Sequence, residues 1–240
     1  MRIGPIIASG RDCFIFESTP GKVIRRARDG RSLEWEASIM RHARRNGFPA
    51  PEIYDAEGPD ILMERIDGVS MSEDMAKDPS LVDPHARLLA SLHHQLGAVR
   101  APGWLPAAQG ALGQSLLHLD LHPLNVLITA DGPVVIDWTN AARGDPAYDV
   151  ADTWVLFATA EVPGSRFERA VAAVGRRVFL RHFLRGVDTS AARAAIPAAV
   201  ENRLVDRNMT DGEKDRMRRM AEWATSSSGA DLGVGRRRHG

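Results

Sequence analysis

The segment His118-Leu119-Asp120-Leu121-His122-Pro123-Leu124-Asn125 sets an aspartate five residues before an asparagine, and Asp137 in VVIDW follows twelve residues after that asparagine. This set suits phosphoryl transfer. That reaction asks for a carboxylate to orient a hydroxyl and accept its proton, and for oxygen ligands that hold Mg²⁺ against a triphosphate. Asp120 suits the first task, and Asn125 and Asp137 suit the second. Taken singly, each is as commonly a residue that caps a turn; the full set at this spacing points to chemistry. A second chemistry is written in the same segment. His118, Asp120 and His122 alternate, so an extended strand would direct all three to one side and could build a metal-hydrolase site. Pro123 interrupts such a strand.

For Asn125 and Asp137 to serve one cleft, the chain between them must double back. Two short apolar segments, NVLIT and GPVVI, flank an Asp131-Gly132 turn, which predicts a loop followed by a hairpin whose strand ends return to each other. Upstream, Ile6 to Ile66 reads as a strand, a turn at Ser9-Gly10-Arg11-Asp12, the strand CFIFE, a Pro20-Gly21 turn and the strand KVIRRA. Leu33, Ala37, Met40 and Ala43 then keep a helical period, with Ser32 as the cap and Asn46-Gly47 as the stop. EIYDAEGPDILMERIDG predicts a second hairpin with ILMERI as its second strand. From about Leu81 to Val99 a further helix places Leu88, Leu89, Leu92 and Leu96 on one face. The chain is helical again from Arg166, where Phe167, Val171, Val174 and Val178 keep the period. Thr210-Asp211-Gly212-Glu213 is a capping box that opens a last helix.

The chain has 240 residues, 44% of them hydrophobic, enough for one large core or two lobes sharing a cleft. Lys plus Arg and Asp plus Glu both total 31, so no net field draws the protein to nucleic acid or an anionic membrane. One cysteine, Cys13, excludes an internal disulfide and a multi-cysteine zinc site, and reads as a small buried apolar residue. The N-terminus lacks the apolar run of a secretory signal, and no long apolar span occurs, so the expected location is cytoplasmic. Residues 227–240, rich in Ser, Gly and Arg, read as a disordered tail.

HLDLHPLN, VVIDW and RGDPAYDVADT together resemble the aminoglycoside phosphotransferase and choline kinase family, a branch of the protein-kinase-like fold. The resemblance implies an α+β, bilobal architecture: a small antiparallel-sheet N-lobe over 1–66 and a mainly helical C-lobe over 67–226 that carries catalysis and the acceptor site. It implies ATP and Mg²⁺ as cofactors, a small-molecule hydroxyl as acceptor and no obligate protein partner. Asp120 would be the catalytic base, Asn125 and Asp137 the magnesium ligands, and His118 a support for the loop. Asp149 occupies the place of an acidic residue that helps hold the catalytic region, and is also placed to cap a helix before VADTWVLF, the role preferred here. Ser9-Gly10 would form the turn that covers the phosphates, and Met63, Glu64 and Ile66 belong to the hinge strand that contacts adenine.

One position departs from the family. Where the kinase-type V-A-I-K pattern places a phosphate-binding lysine, KVIR places Arg25, which keeps the charge but changes its reach. Lys22 falls on the opposite face of the strand. Glu36 is the expected carboxylate partner of Arg25, with Glu34 the alternative if the helix register differs. The departure and the short C-terminal segment leave a catalytically weak or inactive kinase-like nucleotide-binding module as the alternative function. Glu201, Asp206 and Glu222 could meet an amine, but read as solvated helix charges.

Overall fold

The computed structural model describes residues 1–110, 112–161, 165–205 and 209–226. Short apolar runs bounded by turns build β1 (Ile6–Ser9), exposed along its length, β2 (Cys13–Glu17) and β3 (Lys22–Ala27), followed by helix α1 (Glu34–Arg45) and the hairpin β4 (Ile53–Glu57) and β5 (Asp60–Glu64). The five strands form one antiparallel sheet in the order β1-β2-β3-β5-β4. Helix α1 buries Glu36, Ala37, Ile39, Met40 and Ala43 on one face, the spacing of an amphipathic helix. Its N-cap is Leu33 rather than Ser32. Leu33 is buried, and its packing moves the boundary one residue on, leaving Ser32 Oγ to accept from the Glu34 N–H at 3.3 Å.

After the sheet come β6 (Val69–Ser70) and α2 (Met71–Lys77), both unanticipated. The signal for α2 is in the chain: Ser70 Oγ accepts from the Glu73 N–H and Glu73 Oε2 accepts from the Ser70 N–H, each at 3.1 Å, a capping box. Helix α3 (Val82–Ala98) follows a 3₁₀ turn at Pro79–Leu81, and β7 (Ser115–Leu117) leads into the loop that carries Asp120. The expected hairpin is β8 (Val126–Thr129) and β9 (Gly132–Val135), paired from Val126↔Val135 to Thr129↔Gly132. Strand β10 (Ala142–Gly144) pairs with β7 and delivers the chain to α4 (Pro146–Thr159). The helical stretch expected from Arg166 divides into α5 (Arg166–Arg185), α6 (Thr189–Leu204) and α7 (Asp211–Thr225), the last opened by the Thr210–Glu213 capping box. The side chains of Phe167 and Val171, residue Asp206 and the 227–240 tail lie outside the described residues. No described helix is long and apolar enough to cross a membrane.

The main core runs from Ile39 and Met40 of α1, through Trp138, to Leu89, Leu92 and Leu96 of α3 and Phe183 of α5. A second core joins Leu117, Tyr148, Val155, Ile196 and Met217. Between the two lies the loop after β7. Close backbone approach sets its approach path. Gly113 has φ +122°, and a Cβ there would meet the carbonyl carbon and oxygen of Gly144 at 2.6 Å. Gly132 has the same φ with nothing within 4 Å. Urea unfolding should therefore show Gly132→Ala costing about 1 kcal/mol from backbone strain alone, and Gly113→Ala about 3 kcal/mol. Equal losses would mean that β10 gives way without resistance.

Candidate active site

The loop from His118 to Asn125 hangs from helix α4. Asp149, in the first turn of α4, accepts from the Leu119 N–H at 2.7 Å and the His118 N–H at 3.2 Å. It is not the helix cap; Asp145 is, accepting from the Ala147 N–H with Pro146 at the first helical position. The preferred capping role for Asp149 is thus corrected to the loop-holding one. One turn on, Thr153 donates to the Leu121 carbonyl at 2.8 Å and contacts His93 Nε2 at 3.2 Å. Leu119 itself sits at φ +59°, a conformation rare for a branched side chain. It turns His118 inward and Asp120 outward. His118 is fully buried, packs against Trp138 and bonds the Ile136 carbonyl through Nε2 at 3.1 Å. Burial lowers its imidazole to about 4, so it is neutral at ordinary pH. This position, fixed on a carbonyl inside the core, removes His118 from any shared site with His122 and overturns the metal-hydrolase alternative.

Asp120 is half-buried. Its Oδ2 accepts from Asn125 Nδ2 at 3.1 Å, with His122 Nε2 at 3.4 Å, and its Oδ1 accepts from Arg203 Nη2 at 3.1 Å. Burial works to raise this carboxyl, but the His122 contact and the charges of His122 and Arg203 outweigh it and hold the group well below the usual carboxylate range. The Asn125 amide nitrogen also donates to the Asp120 carbonyl at 2.9 Å, which turns its amide oxygen the other way. The Asn125 carbonyl accepts from the Ile136 N–H at 2.9 Å, so the hairpin returns Asp137 beside the loop. Asp137 is exposed, at φ +64°, which aspartate tolerates better than most residues. Asn125 and Asp137 offer an amide oxygen and a carboxylate, a hard oxygen donor set of the type that suits Mg²⁺.

Arg25 projects from β3 to the same place. Its Nη1 lies 2.5 Å from Glu36 Oε1 and its Nη2 lies 3.5 Å from Asp137 Oδ1. Glu36 also accepts from the Trp138 N–H at 3.1 Å and from Thr139 Oγ1 at 3.3 Å. Glu36 is therefore the partner of Arg25; Glu34 instead accepts from the Gly58 N–H at 2.9 Å. Lys22 lies over the Tyr54 ring on the other face, 3.8 Å from its centroid. No hydrogen bond or ion pair among the described residues joins the side chains of the remaining sequence-predicted residues to this centre. Ser9 and Gly10 form an exposed turn pinned by Arg28, which donates to Ser9 Oγ and, at 3.0 Å, to the Gly10 carbonyl. Met63 is buried on the face of the sheet that carries Arg25, since it pairs with Val23. Glu64 points to the Glu52 N–H and Arg44, so only its backbone could face a nucleotide. Ile66 is half-buried just past β5. Glu201 and Glu222 are exposed.

Sequence reasoning missed Arg203 and Asp152. Arg203, from α6, forms a two-point bridge to Asp152 of α4, Nε to Oδ1 and Nη2 to Oδ2, both at 2.6 Å, and both residues are buried. The spacing of Asp149, Asp152 and Thr153 on one helix face was the available signal.

A family model described as "Phosphotransferase enzyme family" matches residues 7–114 and 103–187. Over 108 residues the chain is 29% identical to a probable serine/threonine-protein kinase BUD32 homolog of Archaeoglobus fulgidus, a match that covers 45% of either chain, less than half the length of that curated relative. Among solved structures, aminoglycoside phosphotransferase APH(4)-Ia in a ternary complex with AMP-PNP and hygromycin B is similar with TM-score 0.62 and 18% identity, over 93% of this chain and 94% of that one. A choline/ethanolamine kinase family protein from Mesorhizobium loti is similar with TM-score 0.55 and 17% identity, over 94% and 90%. These likenesses establish a protein-kinase-like, bilobal α+β fold.

Glu36 is buried, Arg25 is half-buried, and the pair joins the sheet to the Asp137 turn, so Glu36→Ala leaves a half-buried cation and the Trp138 N–H without their acceptor. The expected loss in urea unfolding is about 3 kcal/mol. Glu34→Ala, which removes one exposed bond, should cost no more than about 1 kcal/mol. The reverse ranking would place the pairing register on Glu34.

Proposed function

Because the chain belongs to the phosphotransferase enzyme family, we propose that it transfers the γ-phosphoryl group of ATP to a hydroxyl of a small molecule, with Asp120 facing that hydroxyl. The observation that carries this reading is the joining of two groups of functional side chains by the backbone bond from the Ile136 N–H to the Asn125 carbonyl and by the His118 bond to the Ile136 carbonyl. The contacts that the Asn125 side-chain amide donates to Asp120 lie on one side of the Ile136–Asn125 bond, and the Arg25–Glu36–Asp137 cluster lies on the other. In this reading Arg25 and the Ser9-Gly10 backbone hold phosphate oxygens, and Met63 to Ile66 line the adenine. The Asn125 amide oxygen and the Asp137 carboxylate would hold Mg²⁺, which would supply charge neutralisation to the phosphates.

The protein's own part is positioning and one proton. A carboxylate held as acidic as Asp120 is a poor base toward a resting alcohol. It orients the hydroxyl by accepting its hydrogen bond, and it takes the proton late, as the new O–P bond makes that proton acidic, which suits a loose transition state. The guanidinium in place of lysine keeps its charge, since the Glu36 carboxylate outweighs the lowering effect of burial on Arg25. Solved relatives named for ethanolamine, streptomycin and hygromycin B support a small hydroxyl-bearing acceptor without selecting one.

Calorimetric titration with ATP, with and without Mg²⁺, and a turnover assay test the reading together. Asp137→Ala should lose the Mg²⁺-dependent binding. Asp120→Ala should keep that binding while turnover falls by at least about 100-fold. Wild-type protein that binds no MgATP contradicts the proposal; turnover indifferent to Asp120 overturns the role given to Asp120, and binding with no turnover makes the chain a silent nucleotide-binding module.

A further inference from the structure

We propose that Arg203 is a positioning residue for Asp120: carried in by α6 and oriented by Asp152, it fixes the carboxylate that faces the acceptor hydroxyl. The inference rests on the assignment of Asp120 above, and Arg203 falls beyond residue 187, where the family match ends.

The geometry of the guanidinium makes the case. Asp152 takes Nε and one N–H of Nη2 at 2.6 Å each, a bidentate grip that fixes the plane of the group. With the plane fixed, the remaining N–H of Nη2 can reach Asp120 Oδ1 at 3.1 Å. A lysine ammonium has no planar fork and could not satisfy both carboxylates in this arrangement. Asn125 Nδ2 holds Oδ2 at 3.1 Å, so each oxygen of Asp120 has a separate donor and rotation of the carboxylate is blocked. Stability does not account for the cluster by itself. Replacing a buried ion pair with apolar side chains of similar size is often neutral or favourable, so burial of the Arg203–Asp152 pair is weak evidence of a stabilising role; the third contact, to Asp120, gives it a second one. The consequence is mechanical: α6 packs on α4, and any shift of α6 when an acceptor binds is transmitted to the orientation of Asp120.

The decisive variant removes both buried charges at once, Arg203→Met with Asp152→Leu, so that neither is left buried without the other, while the half-buried Asp120 keeps its contacts to Asn125 and His122. ATP hydrolysis with water as acceptor is measured beside the urea midpoint. The expected result is a wild-type midpoint and KM for ATP with kcat lowered roughly 10- to 100-fold, and only partial recovery in Arg203→Lys. A double variant with wild-type kcat overturns the proposal and leaves Arg203 as a neutraliser of Asp152. If the double variant does not fold, or if the wild type binds MgATP but turns none over, a double-mutant cycle between Arg203→Lys and Asp120→Asn on unfolding free energy decides. Non-additive losses support the contact; additive losses overturn it, whatever the fate of the phosphotransferase reading.

Discussion

Leu119 holds a left-handed backbone conformation, φ +59°, for which its side chain has no preference and which costs about 1–3 kcal/mol. It persists because Asp149 accepts from both the His118 and Leu119 N–H groups, and because Thr153 takes the Leu121 carbonyl one turn further along α4. The twist sends consecutive side chains to different fates. His118 goes into the core against Trp138 and the Ile136 carbonyl, while Asp120 emerges beside Asn125. The placement of the reactive carboxylate thus depends on one face of one helix, on which Asp149, Asp152 and Thr153 fall at helical spacing. Burial pushes the Asp149 carboxyl up to about 7, opposed by its two backbone bonds. Its place in the first helical turn favours the anion further.

A second strained residue stands on the other side of the centre and is held in a similar way. Asp137 has φ +64°, and the residues after it, Trp138 and Thr139, are tied to Glu36 of α1 through a backbone N–H and a hydroxyl. The same carboxylate grips Arg25 of β3. One buried glutamate therefore connects the sheet, its helix and the hairpin end, and a buried group with this many partners is costly to disturb. Two buried carboxylates from two helices, Asp149 and Glu36, set the two backbone turns on which the candidate chemistry stands.

What could be read in the sequence was local. The hairpin around Asp131-Gly132 follows from turn chemistry, whereas the Arg25–Glu36 pairing is implied by the resemblance to the kinase-type V-A-I-K pattern, with Glu34 the alternative until the helix register is known. Asp145-Pro146 is a plain helix-start signal, and it should have freed Asp149 for the loop. Ser70-Met71-Ser72-Glu73 likewise announces α2. Arg203 was not legible. It meets Asp152 and Asp120 across 51 and 83 residues, and nothing in a run of helical residues marks which arginine turns inward. The assignments of the exposed turn at Ser9-Gly10 and of the segment Met63 to Ile66 rest on the resemblance and on the fold, since no hydrogen bond or ion pair among the described residues ties them to Asp120 or Asp137.

The account stands or falls on α4 holding the loop in its twisted form. Amide hydrogen exchange at Leu119, followed by NMR in wild type and in Asp149→Ala, tests that directly. The account predicts that the Leu119 amide in wild type is as protected as the α4 backbone and becomes fast-exchanging in the variant, while α4 itself stays protected. A Leu119 amide that exchanges freely in wild type, or that keeps its protection without Asp149, would contradict it.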